Sequence, residues 1–241
     1  MALCIVAETT CRLLVHSIPA PTDVLRAAVH LNSTGELGAA MWSTARSSST
    51  GLALAVTFAV PTGLVMGTVQ PVADATRHLV ELMRPVPSVA LVPLLMLLAS
   101  SMQQVHLIAA AYASYWPMLL ATIYGVQQVD PVRVQTARAF GAGRLASAIR
   151  VMLPSAAPGI LTGIRTAVAV SVVVTVGSEV VTGGDGIGGL ALTAAQAAGA
   201  TDIVLACAMA AAVLGLTGDL VARGIGRTVC GWNHQRLAGP S

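Results

Sequence analysis

Forty-five consecutive residues, Pro85 to Val129, carry no aspartate, glutamate, lysine or arginine. A single helix of that length would be more than twice as long as the roughly 30 Å hydrocarbon core of a bilayer. The polar knot Ser100-Ser101-Met102-Gln103-Gln104 divides the run into two apolar helices joined by a tight turn. Three more stretches have spanning length: Ser47 to Ala73, about Ala157 to Val181, and Ile203 to Val221. The second of these carries Arg165 and Glu179 near its two ends. Five full membrane spans are therefore expected. The chain is 55% apolar and only 10% charged, whereas soluble domains run at about 45–50% and about 25%. An all-α integral membrane protein follows.

The remaining composition mostly excludes. Net charge is +3, carried by arginine with no lysine, and too small and scattered for nucleic-acid binding. Cys4, Cys11, Cys207 and Cys230 form no Cys-x-x-Cys pair, and the five histidines are dispersed, so no metal or redox site is expected. Gly184-Asp185-Gly186-Ile187-Gly188-Gly189 fits G-x-G-x-x-G, but no strand precedes it. A dinucleotide site is rejected in favour of a flexible turn entering a short helix at about 190–198. No nucleophile–base pair or nucleotide loop is present, so the chain is expected to be no enzyme and to bind no cofactor.

Residues 1–16 are apolar but short, and are expected to form a truncated first membrane helix. Residues 17–46, with the amphipathic stretches TDVLRAAVHL and ELGAAMWSTAR, read as an extracytoplasmic, interfacial segment. Residues 47–225 form the transmembrane domain and 226–241 a tail. If the spans alternate, nine arginines fall on one side: Arg77 and Arg84, then Arg133, Arg138, Arg144 and Arg150, then Arg223, Arg227 and Arg236. Only Arg26 and Arg46 fall on the other. The arginine-rich side is cytoplasmic by the positive-inside rule, and the C-terminus with it.

The most polar island is residues 130–158, with four arginines inside eighteen residues. Asp130 before Pro131 is a helix start, and Gly141 a helix stop in the left-handed region. A second short helix is expected over about 144–152, ending at Leu153-Pro154. Two short helices hinged at a glycine make a cytoplasmic docking surface. Within the spans, Tyr112, Tyr115, Trp116, Arg165 and Glu179 are candidates to line a solute pathway, with interface anchoring or helix contacts as the plainer alternative. Gly63-x-x-x-Gly67 and Gly159-x-x-x-Gly163 are expected to serve close packing within the chain.

The island resembles the EAA loop of bacterial ABC importer permeases: E-A-A, three residues, G, nine residues, I-x-L-P. Gln135, Thr136 and Ala137 take the first three positions, followed by Arg138, with Gly141 on the glycine and Val151, Met152, Leu153 and Pro154 closing the pattern. Gln135 stands where the family has glutamate, and Thr136 replaces an alanine. IPAPTDVL, LMRPVPSVALVPLLMLL and GSEVVTGGDGIGGLALTA extend the likeness over most of the chain. Those segments are similar to permeases of the aliphatic sulfonate, taurine and nitrate type. The resemblance implies a type I ABC importer permease fold in a bacterial inner membrane. It implies a cytoplasmic ATPase that binds ATP and Mg, a second permease copy as a likewise implied homodimer partner, and an extracytoplasmic solute-binding protein. It also implies a small organic or inorganic anion as solute. A gradient-driven transporter or channel, and a non-transporting scaffold, are the other classes left open.

Overall fold

The computed structural model describes residues 19–197 and 200–229; the expected truncated helix at 1–16 and most of the expected tail lie outside them. Among the described residues all regular structure is helical. In chain order the helices are α1 Pro21–Ser33, α2 Glu36–Thr68, α3 Gln70–Met83, α4 Val92–Leu98 and α5 Met102–Gln127. They continue as α6 Pro131–Ala139, α7 Arg144–Ser147, α8 Leu153–Thr182, α9 Ile187–Gln196 and α10 Thr201–Val229. A 3-10 turn, Ser88–Leu91, leads into α4, and a π-helical turn, Ala148–Met152, joins α7 to α8.

Four helical segments are long and apolar enough to cross a membrane: α2, α5, the continuous segment Arg144–Thr182 containing α8, and α10. A fifth crossing exists if α3 and the segment Ser88–Leu98 count as one span, bent by 81° at a break. Here the structure corrects the expectation that the run from Pro85 to the Ser100 turn is by itself one spanning helix. Pro85 and Pro87 lack backbone donors and disfavour helix at the residues before them, so the chain breaks there and leaves α4 only seven residues long. A second correction falls at the other end. ELGAAMWSTAR is no separate interfacial helix but the first three turns of α2, so the boundary expected between residues 46 and 47 lies inside a 33-residue helix.

Helix α5 is the centre of the bundle, packed most extensively against α2 on one side and α8 on the other. The glycine pairs explain how backbones come so close. A Cβ on Gly63 would lie 2.7 Å from Thr122 Cβ, and one on Gly159 would lie 2.9 Å from the Gly125 Cα. A Cβ on Gly163 would overlap Ala121. Both G-x-x-x-G pairs thus serve contacts inside this chain, α2–α5 and α5–α8. Apolar clusters fill the seams. Ala59, Met118, Leu119, Val126, Ala156 and Ile160 lie toward the end bearing residues 130–158, called here the loop end. Leu31, Leu37, Ala40, Ile187, Cys207 and Ala210 tie α1, α2, α9 and α10 at the far end.

Candidate functional site

At the loop end, local chemistry fixes α6 before any packing does. The Asp130 carboxylate accepts the Val132 N–H at 2.9 Å, and Pro131 fills the first turn, where a missing donor costs nothing. The helix closes in a Schellman arrangement: Ala142 N–H donates to Ala137 O at 3.0 Å, and Gly141 N–H to Arg138 O at 2.9 Å. This requires φ of +84° at Gly141, a conformation that side chains with a Cβ adopt at a cost. Three residues on, at Arg144, α7 begins.

The second helix does not end at Leu153-Pro154 as the sequence suggests. It runs through the π turn directly into α8. Pro154 has no N–H for the Arg150 carbonyl and its ring would crowd that oxygen; the wider π turn absorbs the mismatch. The loop is therefore built onto the foot of a membrane helix, with no free hinge at that point.

Val134 and Ser147 are buried where α6 packs back on α7 and the π turn, so the loop is folded on itself. Gln135, Thr136 and Arg138 are exposed, Ala137 is half-buried, and Gly141 and Pro154 face outward. Val151 and Leu153 are half-buried at the foot of α8. The residues the motif did not flag are the large apolar ones before and between its fixed positions. Phe140 is 88% exposed and Leu145 73%, with Val132 and Ile149 also exposed. All four arginines of the island are exposed as well, and none makes an ion pair among the described residues.

The three aromatic residues sit together on α5. Trp116 packs edge-on against Tyr112 and Tyr115, at ring-centre distances of 5.8 and 5.1 Å. The Tyr112 hydroxyl donates to Met83 O at 3.0 Å, satisfying the last turn of α3. The Tyr115 hydroxyl meets Thr62 Oγ1 on α2 at 3.1 Å. Tyr115 and Trp116 form one wall of an apolar cavity of about 380 Å³ between α2, α3 and α5.

Arg165 projects from α8 onto α10. Its Nε donates to Asp219 Oδ1 at 2.8 Å, and Arg223 donates to Asp219 Oδ2 through Nε at 2.7 Å. Two guanidinium groups thus share one carboxylate. The Asp219/Arg223 spacing of four is readable in the sequence, but its meeting with Arg165 is not.

Glu179 is far from both arginines and is 1% exposed. Thr44 Oγ1 on α2 donates toward its carboxylate, 2.9 Å from each oxygen, and accepts the Ile187 N–H at 2.9 Å. Gly188 N–H donates to Glu179 Oε2 at 3.0 Å. The carboxylate therefore closes the N-terminus of α9, where unpaired N–H groups and the helix dipole favour an anion. The glycines of the G-x-G-x-x-G lookalike serve this contact. A Cβ on Gly186 would overlap the Glu179 carboxylate, and one on Gly188 would overlap the Val176 carbonyl oxygen. The segment is a tight backbone seat, not the flexible turn the sequence suggested. Beside it, Ser178 Oγ donates to Thr175 O at 2.7 Å, so it accepts from His106 Nδ1 at 2.9 Å.

Comparison with known proteins converges on one family. The profile for the binding-protein-dependent transport system inner membrane component matches residues 33–229. The taurine transport system permease protein TauC of Escherichia coli is 29% identical over 223 residues, covering 90% of this chain and 81% of that one. The aliphatic sulfonates transport permease protein SsuC of the same organism is 29% identical over 154 residues, covering 64% of this chain and 58% of that one. Among solved structures, an inward-facing form of the MetNI methionine ABC transporter superposes with a TM-score of 0.69 at 16% identity, over 82% of this chain and 98% of that chain. That likeness establishes the fold. With the match spanning nearly all described helices, the chain belongs to the family of binding-protein-dependent transport system inner membrane components, the permeases of ABC importers.

Proposed function

We propose that this chain is the membrane-spanning subunit of an ATP-driven importer and docks a separate cytoplasmic ATPase through residues 130–158. The supporting observation is the exposure of Phe140 and Leu145, the two most exposed large apolar side chains of an arginine-rich loop. A phenylalanine left in water forgoes about 1.5–3 kcal/mol that a partner groove would supply. The Schellman closure and the π turn build the loop rigidly onto α8, so that a push on α6 is transmitted to a membrane helix. ATP and Mg belong to the ATPase, and this chain binds neither. A second permease copy completes the pathway, and an extracytoplasmic solute-binding protein delivers the solute. The setting is a bacterial inner membrane, with the loop and C-terminus inside. Relatives named for taurine and aliphatic sulfonates support a small sulfonate-like anion as cargo.

The test is co-purification of the ATPase with the wild-type chain and with a Phe140→Asp, Leu145→Asp variant, alongside taurine uptake. The variant is expected to keep its melting profile while losing the ATPase and the uptake. A variant that still co-purifies the ATPase and imports at wild-type rate overturns the docking assignment.

A further inference from the structure

We propose that Arg165, Asp219 and Arg223 form an oxyanion-binding subsite at the loop-end boundary of the membrane, taking a sulfonate or phosphate group. The charge count is the first reason. One carboxylate shared by two guanidinium groups leaves a net positive charge, whereas locking α8 to α10 needs only the Arg165–Asp219 pair. The second reason is unused donors. Each guanidinium carries five N–H bonds. Arg165 reaches Asp219 through Nε, and Arg223 through Nε and one terminal nitrogen. The two side chains are 43% and 49% exposed, which leaves each guanidinium accessible beside the carboxylate it pairs with. Asp219 holds both groups by their inner edges and leaves outer edges suited to bidentate contact with an oxyanion.

Depth is the third reason. Arg165 lies seventeen residues before Thr182, and Asp219 eighteen after Thr201. At 1.5 Å per residue both stand about 26–27 Å from the far ends of their helices, close to the full thickness of a roughly 30 Å core. Surplus positive charge is costly against lipid tails and favourable where an anion reaches it. Other polar clusters lack this property: Glu179, Thr44, His106 and Ser178 satisfy one another internally.

Two sources supply the required group: the sulfonate of a solute leaving the pathway, and the phosphate of an anionic lipid headgroup. The solute source rests on the permease reading above. The isolated chain tests both without the ATPase, so a failure here is distinct from a failure of docking. Ethanesulfonate binding to the full chain in detergent is measured by calorimetry. Lipid retention is measured by native mass spectrometry from nanodiscs of phosphatidylglycerol and phosphatidylcholine. R165Q and R223Q are each expected to weaken one probe by about tenfold, the scale of one charge-assisted hydrogen-bond pair. Loss of ethanesulfonate binding assigns the solute source; loss of phosphatidylglycerol retention alone assigns the headgroup.

D219N supplies an independent reading. It is expected to lower the melting temperature in chloride, and ethanesulfonate or phosphatidylglycerol at equal ionic strength is expected to restore it, as the added anion takes the place of the carboxylate. Should R165Q fail to fold, R223Q carries the same comparison from Asp219's own helix. Glutamine variants that fold and bind both probes like wild type overturn the proposal, as does a destabilised D219N that neither anion restores.

Discussion

Thr44 shows how much one hydroxyl can organise. It donates to Glu179 and accepts from Ile187 N–H, so α2, α8 and α9 meet at a single oxygen. Thr44→Val keeps the shape and removes both bonds, leaving a buried carboxylate and a buried N–H short of a partner. Each unpaired buried group costs about 1–3 kcal/mol. The variant is expected to melt several degrees lower in detergent, with Thr44→Ser close to wild type; equal melting of the two variants would count against the latch. Gly188→Ala is expected to be at least as damaging, because its methyl meets the Val176 carbonyl and the Glu179 side chain, which lies 2.7 Å from it at Cβ. Crowding of that kind costs about 1–3 kcal/mol. Little of this was legible in the sequence. Glu179 stood out as a charge at the end of an apolar run, but its partner lies 135 positions away, and nothing local to Thr44 announces the pairing. The glycines are plain in the sequence but their purpose is not, since a glycine that permits a turn and one that permits close approach look identical there.

At the scale of elements, legibility followed the range of the interactions. Helix α6 was readable at both ends because its signals are its own residues: the Asp130 cap, Pro131 and Gly141. Its predicted consequence is equally local. Gly141→Ala forces a Cβ into the left-handed region at a cost of about 1–2 kcal/mol. Nothing lies within 4 Å of the added methyl, so the bundle itself is undisturbed. The expected result is an unchanged global melting profile with weakened ATPase co-purification and faster amide exchange at residues 137–143. Wild-type exchange there would show that the closure does not hold the loop. By contrast, the π turn was not legible. Pro154 marks a disturbance, and a proline can end a helix or be accommodated by a widened turn; the packing of Ala156 and Ile160 against α5 decides for continuation. The bend after α3 is hidden from hydropathy for the opposite reason. Hydropathy measures the run from Pro85 as a span, while Pro85 and Pro87 break it and leave its apolar surface on two short pieces.

For the whole molecule, the number of crossings and the sidedness of the loop come from different physics. Apolar length sets the crossings, and among the described residues four helices are long and apolar enough, or five spans with the bent pair counted as one. Sidedness rests on the nine-to-two arginine split, because the bundle alone has no preferred orientation. The helices do place residues 130–158 and the α8–α9 turn at opposite ends: α8 runs thirty residues between them, about 45 Å of helix. One experiment joins the two arguments. In a variant with the native cysteines replaced, Phe140→Cys and Asp185→Cys are labelled separately in intact spheroplasts with a membrane-impermeant maleimide. Position 185 is expected to react at once, and position 140 only after permeabilisation. The reverse pattern would invert the orientation, placing Phe140 and Leu145 away from any cytoplasmic partner and the surplus charge of Arg165 and Arg223 at the outer face. Reaction of both positions without permeabilisation would mean an even number of crossings between them, against the single passage of α8. The expected pattern therefore tests at once the path of that helix and the side from which the loop can be reached.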